Sequence, residues 1–423
     1  MDVVVGGGVA GLMRAWALAS MGRDVTLFEA APRVGGAVRT RRIEGAIVEL
    51  GPQSLRLTRR LWGLVGRLGL TDQVVPASPA ANARFLWDGT ALQRLPDGPL
   101  GVALAPWGGW RRAASLWAET RRPASRGPEM ASLGDWVRRR FGPGWEDVLA
   151  AGIGGVFGGD PDALDAVLAA PGPVAWERAW GSVLRGAGKT AAARAVPDAP
   201  ASVISFREGM QALPDALAGA LGRVVRCGVS VTEVRRQGHG WRVETTRGGV
   251  DARRLHVAVP PDVAAAWFGD LPVAPCAPVA SVHLGWPREA GDRRGFGWLA
   301  APSASPRALG GLWVTSTFPG HAPGQAVVRV MLGGARDPAL VSASEEALVE
   351  VARDVVAKVE GRTARPAWVH VARHRPGIPQ PPPGHSLRLA AWESAHPQVA
   401  MLGWGWRGPG VSTLADEALS VLG

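Results

Sequence analysis

The opening stretch leaves this chain few choices of fold. Asp2-Val3-Val4-Val5 reads as a short buried strand, and Gly6, Gly8 and Gly11 follow it at G-x-G-x-x-G spacing. "LMRAWALASMGR" reads as a helix closed by Gly22, and "DVTLFEA" as a second strand ending in Glu29, 23 positions after Gly6. The pattern is a complete βαβ unit with an acid at its end, the arrangement that binds a dinucleotide. Each position has its own task. Gly6 permits a tight turn, Gly8 lets the backbone approach a pyrophosphate, and Gly11 allows close helix–strand packing. The helix N-terminus offers N–H donors to the anion, while Glu29 accepts from a ribose hydroxyl. In a chain with 57 glycines the spacing alone means little. Strand, helix, strand and acid together carry the assignment.

The residues after Glu29 discriminate between nucleotides. "AAPRVGGAVRT" places Arg33 and the pair Gly35-Gly36 just beyond the second strand. This extension resembles the flavoprotein form of the dinucleotide fold, in which a second glycine turn and an Arg contact the pyrophosphate of FAD.

A chain of 423 residues exceeds one simple core, so two or three domains are expected. No apolar run reaches the roughly 18 residues of a membrane span, and the strand at Asp2 has no basic n-region before it, which predicts no secretory signal. Cys227 and Cys276 lack CxxC spacing and the eight His residues are scattered, which predicts neither disulfide nor metal and a reducing, cytoplasmic setting. The formal charge is +11, yet Lys189 and Lys358 are the only lysines, Asn82 is the sole asparagine and Tyr is absent. Some of that charge follows from a GC-rich coding bias. With no nucleic-acid motif and no run of about five or six like charges, nucleic acid is not expected as a partner.

Residues 86 to 200 change character. Trp107, Trp110, Trp117, Trp136 and Trp145 are interleaved with Arg111, Arg112, Arg121, Arg122 and Arg138 to Arg140. In "SLGDWVRRRFG", Leu133, Trp136, Val137 and Phe141 fall on one helical face with arginines opposite. Basic amphipathic helices with Trp suit a bilayer surface. A helical subdomain with Trp in its own core fits the same pattern. "ARAVPDAPAS" marks the exit. Beyond it, "RVVRCGVSVTEVRRQGHGWRVETTRGGVDARRLHVAVPP" predicts hairpin strands returning to the sheet. "FGWLAAP", "GGLWVTSTF" and "GQAVVRVMLGG" predict a second sheet, and "SEEALVEVARDVVAKVEG" a helix capped by Ser344. No catalytic Ser-His-Asp or Cys-His signature is present.

Several segments in order resemble one family nearly end to end: FAD-dependent protoporphyrinogen oxidases, with coproporphyrinogen-oxidising relatives, of the amine-oxidase superfamily. The carriers are "VVGGGVAGL", "RVGGAVRT", "ELGPQSLR", "NARFLWDG", "GIGGVFGGDPDAL", "SFREGMQALPDALA", "GFGWL", "VRVMLGGARDPAL", "GIPQPPPGHSLRL" and "LGWGWRGPGVSTL". The resemblance implies an α/β (α+β multi-domain) fold with a discontinuous Rossmann-like FAD domain of the p-hydroxybenzoate-hydroxylase type, over 1–75, 220–262 and 385–423. It adds a mixed-sheet substrate domain over 76–99, 200–219 and 263–384, and a helical membrane-binding domain over 100–199. It further implies non-covalent FAD, a porphyrinogen substrate oxidised to a porphyrin, dioxygen as acceptor with hydrogen peroxide formed, and peripheral attachment to the cytoplasmic face of the cell membrane. A homodimer is left open.

Carried over by motif position, Arg84 pairs a substrate propionate. Leu299, Leu312 and Met331 line the macrocycle site, and the backbone of Gly155 faces it. The Val231 main chain holds the adenine. Gly403, Trp404 and Val411 fall at flavin-contacting positions, where N–H groups at a helix start stabilise reduced flavin. The chain also departs from the pattern. Pro381 stands where a Tyr is common, Trp404 and Trp406 take the places of Asn and Tyr, and Ser412 is the expected cap of the last helix. Three readings follow: a protoporphyrinogen or coproporphyrinogen oxidase, another FAD oxidoreductase of the superfamily, or a degenerate flavin- or porphyrin-binding protein without turnover.

Overall fold

The computed structural model describes residues 1–95, 109–125, 130–191, 196–291, 293–305, 307–408 and 410–422. Its first sheet grows from the βαβ unit. Strand Asp2–Val5, helix Val9–Ser20 and strand Val25–Glu29 form as expected, with Asp2 opposite Val25 and Val5 opposite Phe28 in parallel register. Val225–Cys227 joins beyond Val25–Glu29, while Arg254–Val257 and then Val399–Met401 join on the other side, all parallel. The first strand is buried along its whole length, as an all-parallel sheet covered on both faces requires.

One face packs on helices Val9–Ser20, Ala212–Leu221 and Val411–Ala418 through Leu12, Leu18, Leu27, Leu213, Leu217 and Ala415. The other face is covered by a three-stranded antiparallel sheet, Val231–Gln237, Gly240–Thr245 and Val250–Ala252. These hairpin strands lie across the parallel sheet instead of extending it; only the segments flanking them join its ladder. The segment 200–219, grouped by sequence with the substrate domain, packs Ile204, Phe206, Met210, Leu213 and Leu217 into the first core. Its apolar residues face the nucleotide-binding helix.

The second sheet is mixed and has seven strands, ordered Trp368–Pro379, Cys276–Pro287, Gln325–Gly333, Gly310–Trp313, Gly297–Ala300, Arg84–Trp87 and Leu92–Arg94. Every neighbour pair is antiparallel except Arg84–Trp87 with Gly297–Ala300. The expected strand "GGLWVTSTF" stops at Trp313, and Val314–Thr317 forms one helical turn in which the Thr317 hydroxyl donates to the Trp313 carbonyl. Helix Glu345–Glu360 covers one face; Ser344 caps it by accepting from the Ala347 N–H at 3.2 Å. Leu348, Val355 and Val356 meet Val282, Trp298, Trp313 and Val330 there. The opposite face receives the hairpin Thr40–Ile43 and Ala46–Glu49 from the first unit, through Val48 and Leu50 against Leu312, Val327 and Ala372.

Residues 109–191 are helical around their own core of Leu133, Trp136, Val137, Ile153, Phe157, Leu164 and Val174. Trp136 therefore belongs to a core, while Trp110 and Trp117 are 74% and 64% exposed; Trp107 lies outside the described residues. Arg140 departs from the expected solvent face of its helix. It is fully buried and ion-paired with the equally buried Glu119, which also accepts from the Ser182 hydroxyl and the Val183 N–H. Glu177 beside it accepts from the Trp136 indole at 2.7 Å and from Arg139 at 2.6 Å. Amphipathic spacing put this arginine outside, but a carboxylate from another helix takes it in. Among the described residues no helix is long and apolar enough to cross a membrane.

Candidate functional site

The glycines of the first turn are demanded by contact. Gly6 has φ +107°, and a Cβ there would lie 2.4 Å from the Ala258 carbonyl oxygen. A Cβ on Gly11 would lie 2.0 Å from the Gly6 carbonyl oxygen, so helix and strand touch at this point. Gly8, just ahead of the helix, has open space around its Cβ position, where an anion meets free helical N–H groups. The second glycine turn is stacked on the first. Gly35 donates its N–H to the Gly7 carbonyl at 2.8 Å, and a Cβ on Gly36 would stand 3.2 Å from Gly8 Cα. Glu29 is aimed by two backbone donors, Gly7 N–H at 2.5 Å and Ala31 N–H at 2.8 Å. Gly7 is thus a site residue that spacing alone did not single out. Arg33 is exposed and curls onto its own loop, 3.1 Å from the Val34 carbonyl. Val231 starts the first strand of the covering sheet, two residues after Val229, whose N–H donates to the Glu29 carbonyl at 3.0 Å.

The C-terminal loop closes on the same place. Gly403, with φ +101°, brings its Cβ position to 3.8 Å from Ala10 Cβ in the first helix. Trp404 is half-buried against Ala10, Ala258, Leu402 and Leu414. Trp406 points the other way and is fully buried in the second core with Val3, Val5, Phe28 and Met401. Of the two, only Trp404 lies against the first helix. Val411 opens the last helix and is buried in the first core. Ser412 does not cap that helix. Gly410 holds the cap position, and the Ser412 hydroxyl, already inside the first turn, donates to the Arg56 carbonyl. Arg407 anchors the loop by pairing with Glu393 and Glu417 on two helices.

The substrate positions collect on one face of the seven-stranded sheet, since residues opposite each other on neighbouring strands share a face. Gly297 lies opposite both Arg84 and Leu312, and Leu312 opposite Arg329; one step along, Leu299 lies opposite Gly310 and Gly310 opposite Met331. Gly155, in helix Glu146–Phe157, sits over this face. Leu299, Leu312, Met331 and Gly155 are therefore brought together. Arg84 stands at the edge, exposed, with its guanidinium 5.4 Å from the Phe296 ring centre.

The same face carries buried polar groups that are absent from the residues expected by motif. Arg329 donates to the Gly51 carbonyl at 2.7 Å, and His374 to the Leu50 carbonyl at 2.7 Å. Glu49 is fully buried and accepts from Met210 N–H and the Thr40 hydroxyl; burial raises its pKa to about 7 against those hydrogen bonds and the Arg329 charge. Burial drives His283 well below the usual imidazole range. A polar residue at a buried position of an alternating strand, as in "VVRVM", is the signal that marks Arg329.

A cradle closed to side chains, a second glycine turn stacked on it and a doubly oriented carboxylate fit the pyrophosphate and ribose of a dinucleotide. The sequence profile of flavin-containing amine oxidoreductases matches residues 9–413. The chain belongs to this family. It is a flavin-dependent oxidoreductase, and its cofactor is FAD. Among its relatives, tobacco chloroplastic protoporphyrinogen oxidase is 30% identical over 93% of this chain and 78% of its own length. Human protoporphyrinogen oxidase is 30% identical over 100% and 98%. Coproporphyrinogen III oxidase of Bacillus subtilis is 27% identical over 98% and 95%. The fold of this flavin amine oxidoreductase matches a crystal structure from Exiguobacterium sp. 255-15, provisionally assigned as a protoporphyrinogen oxidase, with a TM-score of 0.80 at 22% identity, over 100% of this chain and 97% of that one.

Proposed function

We propose that this flavoprotein oxidises protoporphyrinogen IX to protoporphyrin IX, with dioxygen as acceptor and hydrogen peroxide as by-product, in heme biosynthesis. The observation that carries the reading is the gathering of Leu299, Leu312, Met331 and Gly155 on the one sheet face that the cofactor unit's hairpin also meets. A flat, apolar macrocycle needs such a surface, and little else from side chains.

Bound FAD supplies the acceptor for a hydride from a meso methylene of the porphyrinogen. Gly6, Gly8, Gly11, Gly35 and Gly36 hold its pyrophosphate, Glu29 the adenosine ribose, and Val231 the adenine. The N–H groups at the start of helix Val411–Ala418 offer donors where negative charge develops. Leu299, Leu312 and Met331 hold the macrocycle and exclude water, Gly155 lets backbone approach it, and Arg84 pairs a propionate. With no acid or base needed at the carbon, positioning is the main task of the protein.

The relationship to the Bacillus enzyme supports a second substrate, coproporphyrinogen III, which carries the same meso carbons. Trp404 beside the first helix, in place of the family's Asn, supports a third reading, a flavoprotein that binds without turnover. We place the protein at the cytoplasmic face of a membrane, with exposed Trp110 and Trp117 and the Arg121 guanidinium 3.5 Å over the Trp117 ring as its contact. The purified protein is tested with each porphyrinogen under air. Porphyrin fluorescence with peroxide release supports the oxidase reading. A yellow protein inert to both porphyrinogens overturns it in favour of the third, and a colourless one removes the flavin chemistry altogether.

A further inference from the structure

The loop that follows the hairpin meets the seven-stranded sheet at a buried arginine with no carboxylate within ion-pair distance among the described residues. Arg329 lies within the Gln325–Gly333 strand and is 6% exposed. Among the described residues no carboxylate stands within ion-pair distance of it; its one hydrogen bond is Nη1 to the Gly51 carbonyl, and Nε has no acceptor. The acid nearest in effect, Glu49, is already engaged by Met210 and Thr40, and its own pKa of about 7 leaves its charge only partial at neutral pH. Burial holds down the pKa of His283, opposite Arg329 on the next strand, and burial does the same to His374 against its bond to Leu50. A buried cation without a partner is costly to fold around. Such a group persists where a ligand brings the missing negative charge.

The chain's own geometry indicates which ligand. FAD with its ribose at Glu29 would run past the stacked glycine turns at Gly8 and Gly36. The next step in that direction is Ala37, whose carbonyl lies 1.9 Å from the Cβ position of Gly51. Gly51 is the residue whose carbonyl holds Arg329, and Leu312 of the substrate face is the cross-strand neighbour of Arg329. The guanidinium therefore stands one contact beyond the second glycine turn and beside Leu312, where an isoalloxazine running on from that turn would reach it.

We propose that Arg329 is the buried positive charge of the flavin pocket, held in place by Gly51 and stabilising the negative charge that the isoalloxazine gains on reduction. The inference rests on FAD being bound and not on the porphyrinogen reading, so it is tested without porphyrinogen.

Three variants separate charge from hydrogen bonding: Arg329→Lys keeps both, Arg329→Gln keeps a donor for Gly51 without charge, and Arg329→Met keeps neither. The midpoint potential of bound flavin and the affinity for sulfite, whose flavin adduct is anionic, are measured for each. Arg329→Gln and Arg329→Met are expected to bind reduced FAD at least tenfold more weakly relative to oxidised FAD, a fall of about 30 mV for a two-electron couple. Sulfite affinity falls by a similar factor, and Arg329→Lys stays near wild type. If a neutral variant loses flavin on purification, its affinities for oxidised and reduced FAD, each measured with excess cofactor, give the same ratio. A wild-type ratio in Arg329→Gln overturns the proposal and leaves Arg329 a purely structural clasp. A colourless wild-type protein would instead remove the cofactor reading.

Discussion

Gly155 and Leu299 meet so closely that a Cβ on the glycine would stand 2.2 Å from Leu299 Cδ2. This contact joins a helix of the 109–191 layer to the central strands of the substrate sheet.

Gly155→Ala is accordingly expected to push Leu299 or the helix aside and to lower kcat/KM for porphyrinogen by tenfold or more. Flavin content should not change. Leu299→Ala in the same protein should recover most of the loss, because it removes the clashing group; steady-state kinetics of the two variants and the double variant check this.

The nucleotide turn makes a sharper demand. Gly11→Ala would place a methyl 2.0 Å from the Gly6 carbonyl oxygen, backbone that has no room to move. The protein is expected to be purified without flavin, seen as absent absorbance near 450 nm, while its circular dichroism stays close to wild type.

The two tryptophans of the C-terminal loop should part company. Trp406→Ala empties a fully buried position in the second core and should cost about 3–5 kcal/mol in urea unfolding. Trp404→Asn should leave stability within about 1 kcal/mol, since the side chain is only half-buried, yet change FAD affinity and turnover. Equal losses of stability in both would contradict this division.

In the helical layer, Glu119→Ala strands Arg140 as a buried charge without its partner and should cost about 3–5 kcal/mol. Replacing both, as Glu119→Leu with Arg140→Met, should cost less than the single change, and a denaturation series on the three proteins decides it.

Glu49 gives the protein a pH signature. Its folded pKa of about 7 lies above the ordinary carboxylate value of 4.5, so burial favours the protonated form. Its contribution to stability is fully present below about pH 4.5 and is lost as pH rises through 7. A tenfold change in proton affinity is worth about 1.4 kcal/mol, so the loss approaches about 3 kcal/mol by pH 8. Glu49→Gln can accept from Met210 N–H and donate to the Thr40 hydroxyl; its Tm should fall less than wild type's between pH 5 and pH 8.

Much of this was readable in the chain, for reasons that differ by residue. The βαβ unit and the Ser344-capped helix declare themselves because their determinants lie within a turn or two of each other. Leu299, Leu312 and Met331 look like ordinary core in the sequence, and only the register of three strands gives them a common face. Arg140 and Trp406 escape a local reading because spacing says nothing of a carboxylate or a core supplied from far along the chain. Ser412 is a sound capping residue, but the helix starts one residue before it, and its hydroxyl serves Arg56 instead. Arg329 and Glu49 feel each other's charge from positions 49 and 329, a proximity that no window on the sequence contains.

The parallel sheet that binds the nucleotide takes its strands from residues 2–5, 25–29, 225–227, 254–257 and 399–401, and its covering helix from 411–418. During synthesis, therefore, residues 2–29 leave the ribosome long before residues 399–418, which wall in their cradle. Such non-local closure is slow and exposes apolar strand edges meanwhile. Cofactor loading is thereby tied to the completion of translation, and a chain halted near residue 390 would carry the entire G-x-G-x-x-G turn and still be unable to retain FAD.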